Sequence, residues 1–287
     1  MNKDLFGNEI IKKESLRDKW QEPPFTRLDA VSGSWQKRKQ KWLRTGIKSE
    51  LGREGALCLA QGLNELDPRK SYTGTSVFDP VLCELMYKWF CPENGEILDP
   101  FAGGSVRGIV SNYLGYKYTG IELRKIQVDH NREQAMDLLE ITNQPNWYVG
   151  DSNEVLNGFN KEFDFVFSCP PYMNLEVYSE LPNDLSNMND NDFIKVYESI
   201  IDKTCKLLKK GGMACFVVGD IRDKKGYYKD FITITKLAFY KARLKLYNEA
   251  ILLENGLNTA AMRADRQFNS GKKLVKVHQN ILIFKKP

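Results

Sequence analysis

The sequence predicts an α/β protein with a Rossmann-like, mostly parallel sheet that carries helices on both faces. From about residue 72 onward, short apolar runs of strand length alternate with longer segments of helical periodicity. Such alternation is typical of βαβ units, which build parallel sheets. Two of the apolar runs lead directly into turns rich in glycine or proline, and parallel sheets bind their ligands where strands end.

The predicted elements follow one another at short spacing along the chain. The strands are 96–99, 117–122, 147–149, 163–168, 213–218, 246–253 and 275–284, and the helices are 105–114, 125–140, 191–209 and 229–245. The clearest strand is the apolar FDFVFS segment at 163–168, whereas KYTGIE at 117–122 is only strand-like. The helix 191–209 places its apolar residues on one face, begins among Asn and Asp residues and ends at Gly211-Gly212.

Residues 1–70 differ from the rest of the chain because they are polar and contain few apolar runs. Turn signals occur at Pro23-Pro24 and at Ser32-Gly33-Ser34. We therefore predict a basic, partly helical N-terminal extension over 1–70 and one large α/β domain over 71–287. A chain of 287 residues is long enough for this arrangement.

Composition excludes several classes of protein. Hydrophobic residues make up 42% and charged residues 28%, which argues against disorder, a fibre or a disulfide scaffold. No apolar run approaches the roughly 18 residues of a membrane helix, and the N-terminus has no apolar signal core. Six cysteines without a C-x-x-C pair and only two histidines predict reduced thiols, no metal site and a cytoplasmic protein.

The first chemical motif follows the predicted strand 96–99. Glycines in the run after it would let the backbone turn sharply and lie against a ligand, and the helix start would favour a negatively charged group. Glu122 lies 19 residues beyond Gly103 at the end of the next strand, where it could accept both hydroxyls of a ribose. Asp151, at the end of the third strand, could accept from an adenine amino group. The candidate residues are Asp99, Phe101, Ala102, Gly103, Gly104, Ser105, Glu122 and Asp151.

This first motif indicates a cofactor that contains a nucleoside. The alternative is a tight strand-to-helix turn with two incidental acids. A nicotinamide cofactor is disfavoured because the loop lacks G-x-G-x-x-G spacing.

The second motif is Ser168-Cys169-Pro170-Pro171-Tyr172, directly after the strand 163–168. Two prolines fix the backbone and remove two amide donors, which leaves outward carbonyls beside an aromatic ring. That combination suits a flat base, which would stack on the ring while its amino group donates to the carbonyls. The alternative is an ordinary Pro-Pro turn with a packing tyrosine.

The two motifs, in this order, resemble the S-adenosylmethionine-dependent DNA amino-methyltransferases, which modify adenine N6 or cytosine N4. The segment 71–80 is similar to the part of that family that contacts the methionine end of the cofactor, which implies roles for Thr75, Ser76, Phe78 and Asp79. The tract from Pro23 to Glu54 resembles a phage-encoded branch of the family. The resemblance implies S-adenosylmethionine as cofactor, a base extruded from duplex DNA as substrate, Tyr172 stacking on that base, and a bacterial or phage-infected cell as location.

The sequence departs from the family pattern at two points. One glycine of the loop has moved, so the run reads Phe101-Ala102-Gly103-Gly104-Ser105. Cys169 stands where the family has Asp, Asn or Ser to accept from the target amino group, and a thiol is a weak acceptor. Ser168 or the carbonyl region of Pro170 would then do this work, and the motif does not choose adenine over cytosine.

Other functions remain open at this point. Cys169 could act as a nucleophile for cytosine C5 methylation, although a cysteine before the prolines is the wrong local pattern. The substrate could be RNA or a protein amide. The non-enzymatic alternative is a DNA-binding module with a degenerate cofactor site.

Two basic clusters are candidates for nucleic-acid binding. The segment 35–44 supplies Trp35, Lys37, Arg38, Lys39, Lys41 and Arg44, with its two tryptophans on one helical face. The alternative is a helix that docks its tryptophans on the main domain. The long connection 258–276 is a candidate for target recognition, and its alternative is a mobile basic loop. It supplies Arg263, Arg266, Lys272, Lys273 and Lys276.

Overall fold

The computed structural model describes residues 15–48, 78–173, 179–254 and 257–287. The predicted cofactor residues Thr75 and Ser76, and the boundary between 1–70 and 71–287, lie outside the described residues.

The described strands form a single eight-stranded sheet. The strands are β1 (Arg27–Asp29), β2 (Glu96–Asp99), β3 (Lys117–Glu122), β4 (Asn146–Val149), β5 (Phe163–Ser168), β6 (Leu208–Val218), β7 (Lys245–Leu253) and β8 (His278–Lys285). Their order across the sheet is β1-β7-β8-β6-β5-β2-β3-β4. Only β8 runs antiparallel to its neighbours, and every other pairing is parallel.

Helices connect these strands. They are α1 (Leu16–Trp20), α2 (Gly33–Arg44), α3 (Pro80–Phe90), α4 (Val106–Tyr113), α5 (Lys125–Leu138), α6 (Ser152–Val155), α7 (Asp190–Lys206), α8 (Phe231–Lys241) and α9 (Leu257–Gly271). The predicted Rossmann-like α/β fold is confirmed: the sheet is mostly parallel, and helices cover both of its faces.

Each face of the sheet supports its own hydrophobic core. Along β5, Phe165 and Phe167 point into the core under α3, α4 and α5, whereas Val166 points into the core under α7 and α8. Adjacent residues of β2 divide in the same way: Ile97 joins the first core and Leu98 the second. This burial on both faces explains why both strands read as continuous apolar runs.

Some predicted boundaries moved. The helix predicted at 229–245 begins only at Phe231, since Asp230 has a left-handed backbone (φ 58°) that starts no helical turn, and it ends at Lys241. Strand β6 begins at Leu208 rather than at 213. The connection 258–276, for which a mobile loop was one expectation, contains the helix α9.

The described part of the N-terminal extension contributes to the main sheet. Strand β1 pairs in parallel with β7, with Arg27 opposite Ile251 and Asp29 opposite Leu253. Helix α2 then packs on α3 through its tryptophans. In the described ranges, no helix combines the length and apolar character that crossing a membrane requires.

Candidate active site

The two sequence motifs meet at the centre of the sheet. Strands β2 and β5 are hydrogen-bonded neighbours, and the chain leaves β2 toward β3 and β4 but leaves β5 toward β6. The crevice between them is therefore the switch point of the topology, where open α/β sheets bind ligands. The last residues of the two strands touch, because Ser168 Oγ donates to Asp99 Oδ1 at 2.5 Å.

Asp99 is the hub of a buried hydrogen-bond network. Its carboxylate accepts from the Phe101 amide (3.1 Å), Ser168 Oγ (2.5 Å), Arg107 Nε (2.5 Å) and Tyr118 OH (2.7 Å). These four donors occupy about all the lone-pair positions of a carboxylate. With none of its surface exposed, Asp99 holds both motif turns from beneath.

Arg107 connects this hub to the glycine loop. Its Nη2 donates to the carbonyl oxygens of Phe101 (2.5 Å) and Ala102 (2.8 Å), and its guanidinium lies 4.6 Å from the Phe78 ring centroid. Burial alone would lower the pKa of Arg107, but the Asp99 carboxylate, together with Tyr118 and Cys169, holds that pKa above its usual value. The loop thus rests on a charged, hydrogen-bonded pair, which fixes its path.

Two predicted contacts need correction for this reason. Asp99 was expected to touch the cofactor and Ser168 to accept from a target amino group, yet both are fully buried. The Ser168 hydroxyl already donates to Asp99. Both residues position the turns, and their burial argues against the predicted direct contacts.

The glycine loop divides into buried and open residues. Ala102 and Ser105 were predicted to contact the cofactor. Both are buried, and Ser105 Oγ donates to Gln134 Oε1, which argues against that contact. Phe101, Gly103 and Gly104 are half-buried. Gly103 has φ 51°, and nothing lies within 4 Å of the position its Cβ would occupy. Only glycine adopts such a backbone without strain, and the space above it is open to a ligand.

Carboxylates follow the next two strands, as predicted. Glu122 accepts from the amides of Gly103 and Arg124, each at 3.0 Å, and burial raises its pKa. Asp151 is half-buried and caps α6 by accepting from the Asn153 amide at 2.8 Å. Each carboxylate has two or more acceptor positions left. An open glycine flanked by these acceptors fits a bound nucleoside.

The diproline turn presents a rigid edge beside Tyr172. Pro170 is buried, and Cys169, Pro171 and Tyr172 are half-buried. The Tyr172 ring lies 5.9 Å from that of Phe231, and a Cβ on Gly219 would come within 3.0 Å of it. Side chains on several elements therefore hold the ring in place.

Cys169 is a poor candidate for a nucleophile. Its Sγ lies 3.7 Å from Tyr172 OH, and burial raises the pKa of the thiol. The reactive form of a cysteine is the thiolate, which a raised pKa suppresses at neutral pH. This geometry disfavours the cytosine C5 alternative.

Phe78 and Asp79 lie beside this network. Phe78 packs edge-to-face on Phe167 with ring centroids 5.5 Å apart. Asp79 caps α3 and also accepts from Trp35 Nε1 at 3.2 Å and Lys39 Nζ at 3.0 Å. Its carboxylate thus ties the N-terminal helix to the main domain, and its role as a direct cofactor contact stays a prediction.

Helix α2 is docked by most of the residues that were predicted to bind nucleic acid. Trp35 and Trp42 are buried, and Arg38 forms two 2.7 Å hydrogen bonds with Glu84. Burial alone would raise the pKa of Glu84, but hydrogen bonds from Arg38, Lys88 and Trp42 lower it to about 2. Trp35, Arg38 and Lys39 bind α3 and its cap, which favours the alternative of a docked helix for these three side chains. The exposed residues of the cluster are Lys37, Lys41 and Arg44.

The second basic cluster lies on and after α9. Arg263, Arg266 and Lys272 are exposed, and Lys273 is half-buried. Beside them lies the turn 220–230, which contains Arg222 and Tyr228 and for which the sequence analysis predicted no role. A charged, tyrosine-rich run directly after a predicted strand was the signal that could have identified it.

Among the described residues, no group of three or more His, Cys, Asp or Glu is placed to hold a metal ion. No protein-family model matches the chain, and no curated protein matches it.

Several solved structures resemble the fold at low sequence identity. TrmN from Thermus thermophilus is 13% identical, with a TM-score of 0.48, over 80% of this chain and 53% of its own. TehB from Haemophilus influenzae is 14% identical, with a TM-score of 0.46, over 74% of this chain and 64% of its own. Magnesium protoporphyrin IX methyltransferase from Synechocystis, with bound SAM, is 10% identical, with a TM-score of 0.46, over 88% and 94%. This chain thus spans about half of TrmN, and scores at this level assign no function.

Proposed function

We propose that the protein is an S-adenosylmethionine-dependent methyltransferase that modifies the exocyclic amino group of a base in DNA, at adenine N6 or cytosine N4. One observation carries the proposal. The glycine loop and the Cys-Pro-Pro-Tyr turn follow adjacent strands at the switch point of the sheet, joined by the Asp99–Ser168 hydrogen bond. A cofactor on one turn would therefore lie next to a base on the other.

The cofactor would bind along the ends of β2, β3 and β4. Glu122 would accept from the ribose hydroxyls and Asp151 from the adenine amino group, while the open backbone at Gly103 and Gly104 would approach the ligand closely. Phe101 would line the pocket, and the chain at Phe78 would face the methionine end. The family resemblance extends this role to Thr75 and Ser76. When bound, S-adenosylmethionine supplies a methyl group already activated on a sulfonium.

The diproline edge would hold the base. The carbonyl region of Pro170 would accept from the target amino group and draw its lone pair out of the ring, since Ser168 is committed to Asp99. Tyr172 would stack on the base and offset part of the cost of extruding it, by about 1–3 kcal/mol. Catalysis here is alignment of two reactants by a rigid frame, which requires no strong base.

Mass spectrometry of nucleosides from DNA incubated with the protein and S-adenosylmethionine tests the proposal. We expect N6-methyladenine or N4-methylcytosine. Parallel incubations with RNA and with protein separate the alternative substrates, and methylation found only there, or at cytosine C5, contradicts the proposal. Calorimetry with S-adenosylmethionine tests the cofactor, and no binding at millimolar ligand supports a DNA-binding module instead.

Three variants separate the roles of individual side chains. Tyr172→Ala should lose transfer while it keeps cofactor affinity, whereas Tyr240→Ala, an exposed tyrosine on α8, is the matched control and should retain both. Glu122→Gln should weaken cofactor binding by about tenfold, because a charged acceptor is replaced by a neutral one. Cys169→Ser should retain transfer if the thiol only shapes the pocket.

A further inference from the structure

A groove lies beside the candidate active site. One wall is the turn 220–230 after β6, which contributes Arg222 and Tyr228. The other wall is α9 with the chain that follows it, which contributes Arg263, Gln267 and Lys276. The groove is thus built from two segments that are far apart in sequence.

The groove begins next to Tyr172, the residue proposed to stack on the target base. Asp220 lies in its lining, and the neighbouring Gly219 faces Tyr172, since a Cβ there would be 3.0 Å from the ring. Asp220 Oδ1 accepts from the Phe231 amide at 2.9 Å, so this carboxylate is held by the start of α8. A DNA strand whose extruded base stacks on Tyr172 would continue directly into the groove.

The turn that forms the first wall is internally braced. Arg222 and Tyr228 form an antiparallel bridge, and the Arg222 guanidinium lies 3.8 Å from the Tyr228 ring centroid. Arg222 Nη1 also donates to the Gly226 carbonyl at 2.7 Å. An arginine stacked on a tyrosine presents a flat, charged platform that is already ordered.

The two walls meet at a close contact. The Lys273 side chain packs against Gly226, and a side chain at position 226 would collide with it. Gly226 also has φ 97°, which favours glycine. Lys272 Nζ lies 4.7 Å from the Phe268 ring centroid on the opposite wall. Glycine at 226 therefore allows the turn and the α9 segment to enclose the groove.

The walls concentrate positive charge. Residues 220–230 and 263–276 contain nine Lys and Arg against four Asp, an excess equal to the net charge of +5 of the whole chain. No ion pair within the described residues holds Lys224, Lys225 or Arg266. Cations left without carboxylate partners favour a polyanion, and release of its counterions would drive binding.

Exposed rings accompany this charge. Tyr227 is 72% exposed, Tyr228 47% and Phe268 46%. Aromatic rings interleaved with cations are the elements that bind single-stranded stretches of nucleic acid, because every base has a face to stack. An acidic protein would pair with the cations but would leave the rings without a use.

We propose that this groove binds the DNA strand that flanks the extruded base. Arg222, Arg263 and Lys276 contact its phosphates, and Tyr227 and Tyr228 stack on neighbouring bases. The inference rests on the proposed function for its choice of DNA, and it locates the strand beside Tyr172 rather than along α2.

Fluorescence anisotropy with a labelled DNA duplex tests the groove. The variant Arg222→Ala/Arg263→Ala should bind about tenfold more weakly, and the slope of log affinity against log salt should fall by about 0.9 for each lost contact. Calorimetry should show unchanged S-adenosylmethionine affinity. The variant Lys224→Ala/Lys225→Ala removes two exposed charges from the tip of the turn, keeps the fold, and should weaken binding in the same direction.

The matched control is Lys117→Ala/Lys210→Ala. It removes the same charge from exposed lysines where β3 begins and near the start of β6, away from the strand ends that form the site. We expect its DNA affinity and salt slope to stay within a factor of two of the wild type.

The outcomes separate the groove from the proposed function. Unchanged affinity and slope in both groove variants, or an equal loss in the control, overturns the groove. RNA binding through these residues without DNA binding overturns the choice of DNA. If the groove variants lose DNA affinity while the wild type methylates no base, the groove stands and the proposed function falls.

Discussion

Two regions of this protein look alike in sequence and differ in structure. Helix α2 and the groove walls both mix lysines and arginines with aromatic rings. In α2 the aromatics are buried, with Trp35 only 1% exposed, and Arg38 and Lys39 pair with carboxylates of α3 and its cap. On the turn 220–230 beside the groove, Tyr227 is 72% exposed. The comparison teaches that a pattern of basic and aromatic residues indicates a binding segment. The pattern does not say whether the segment binds another part of the chain or an external ligand.

The partner is decided by complementary acids elsewhere. Glu84 and Asp79 lie opposite α2 and accept from both its cations and its indole nitrogens. In the groove walls nine Lys and Arg outnumber four Asp, and one of these, Asp220, accepts from the Phe231 amide. Cations matched by internal carboxylates stabilise the fold, whereas an excess of cations over carboxylates favours an anionic ligand.

The largest expected effect comes from Trp35→Ala, which should lower the free energy of unfolding by about 3–5 kcal/mol because it empties a buried site. DNA affinity of the folded protein should change less than twofold. Trp20→Ala, on a half-exposed tryptophan, is the control and should cost about 1 kcal/mol or less. Thermal unfolding and anisotropy measure the two quantities. A stable variant with weakened DNA binding would reverse our assignment of α2.

The next effect concerns the carboxylate beneath α2. The pKa of Glu84 is lowered to about 2 from an ordinary 4.5, so its stabilisation is present above about pH 5 and lost as pH falls toward 2. The free energy of unfolding of the wild type should exceed that of Glu84→Gln by about 3 kcal/mol at neutral pH. This difference should disappear as the pH falls toward 2. Denaturant unfolding across this pH range, with the exposed Glu93→Gln as control, measures it. A stability difference that does not change with pH would contradict a charged Glu84 paired with Arg38 and Lys88.

On the groove side, Tyr227→Ala should weaken DNA binding by about 1–3 kcal/mol, the usual contribution of one stacked base. Stability should change by no more than about 0.5 kcal/mol because the ring is 72% exposed. Tyr247→Ala, with a ring that is 58% exposed on β7, is the matched control. Equal affinities for the two variants would mean that Tyr227 stacks on nothing.

The smallest effect is expected on the outer face of α2. Lys37, Lys41 and Arg44 are exposed, and they are the part of the first basic cluster that could still reach phosphates. Replacing all three with alanine should weaken DNA binding by about threefold or less, because contacts between exposed charges are screened by salt. A loss larger than that of the Arg222→Ala/Arg263→Ala variant would move the main DNA contact from the groove to α2.

Much of the candidate site follows from local sequence. The glycine loop, the diproline turn and the acids at Glu122 and Asp151 all lie at strand ends, where the alternation of apolar runs predicts them. What escaped prediction was the state of their side chains. Asp99 and Ser168 resemble ligand contacts in sequence. In the structure Arg107, Tyr118 and Ser168 itself donate to the Asp99 carboxylate and use its acceptor positions.

The chain's own pattern was enough for the order of strands and helices and for the two turns, because periodicity and turn chemistry are properties of neighbouring residues. Tertiary packing alone made β2 and β5 neighbours, buried Trp35 and left the rings of the groove exposed. The reason is physical: burial and ion pairing depend on which distant segment arrives opposite a side chain, and no local pattern contains that information.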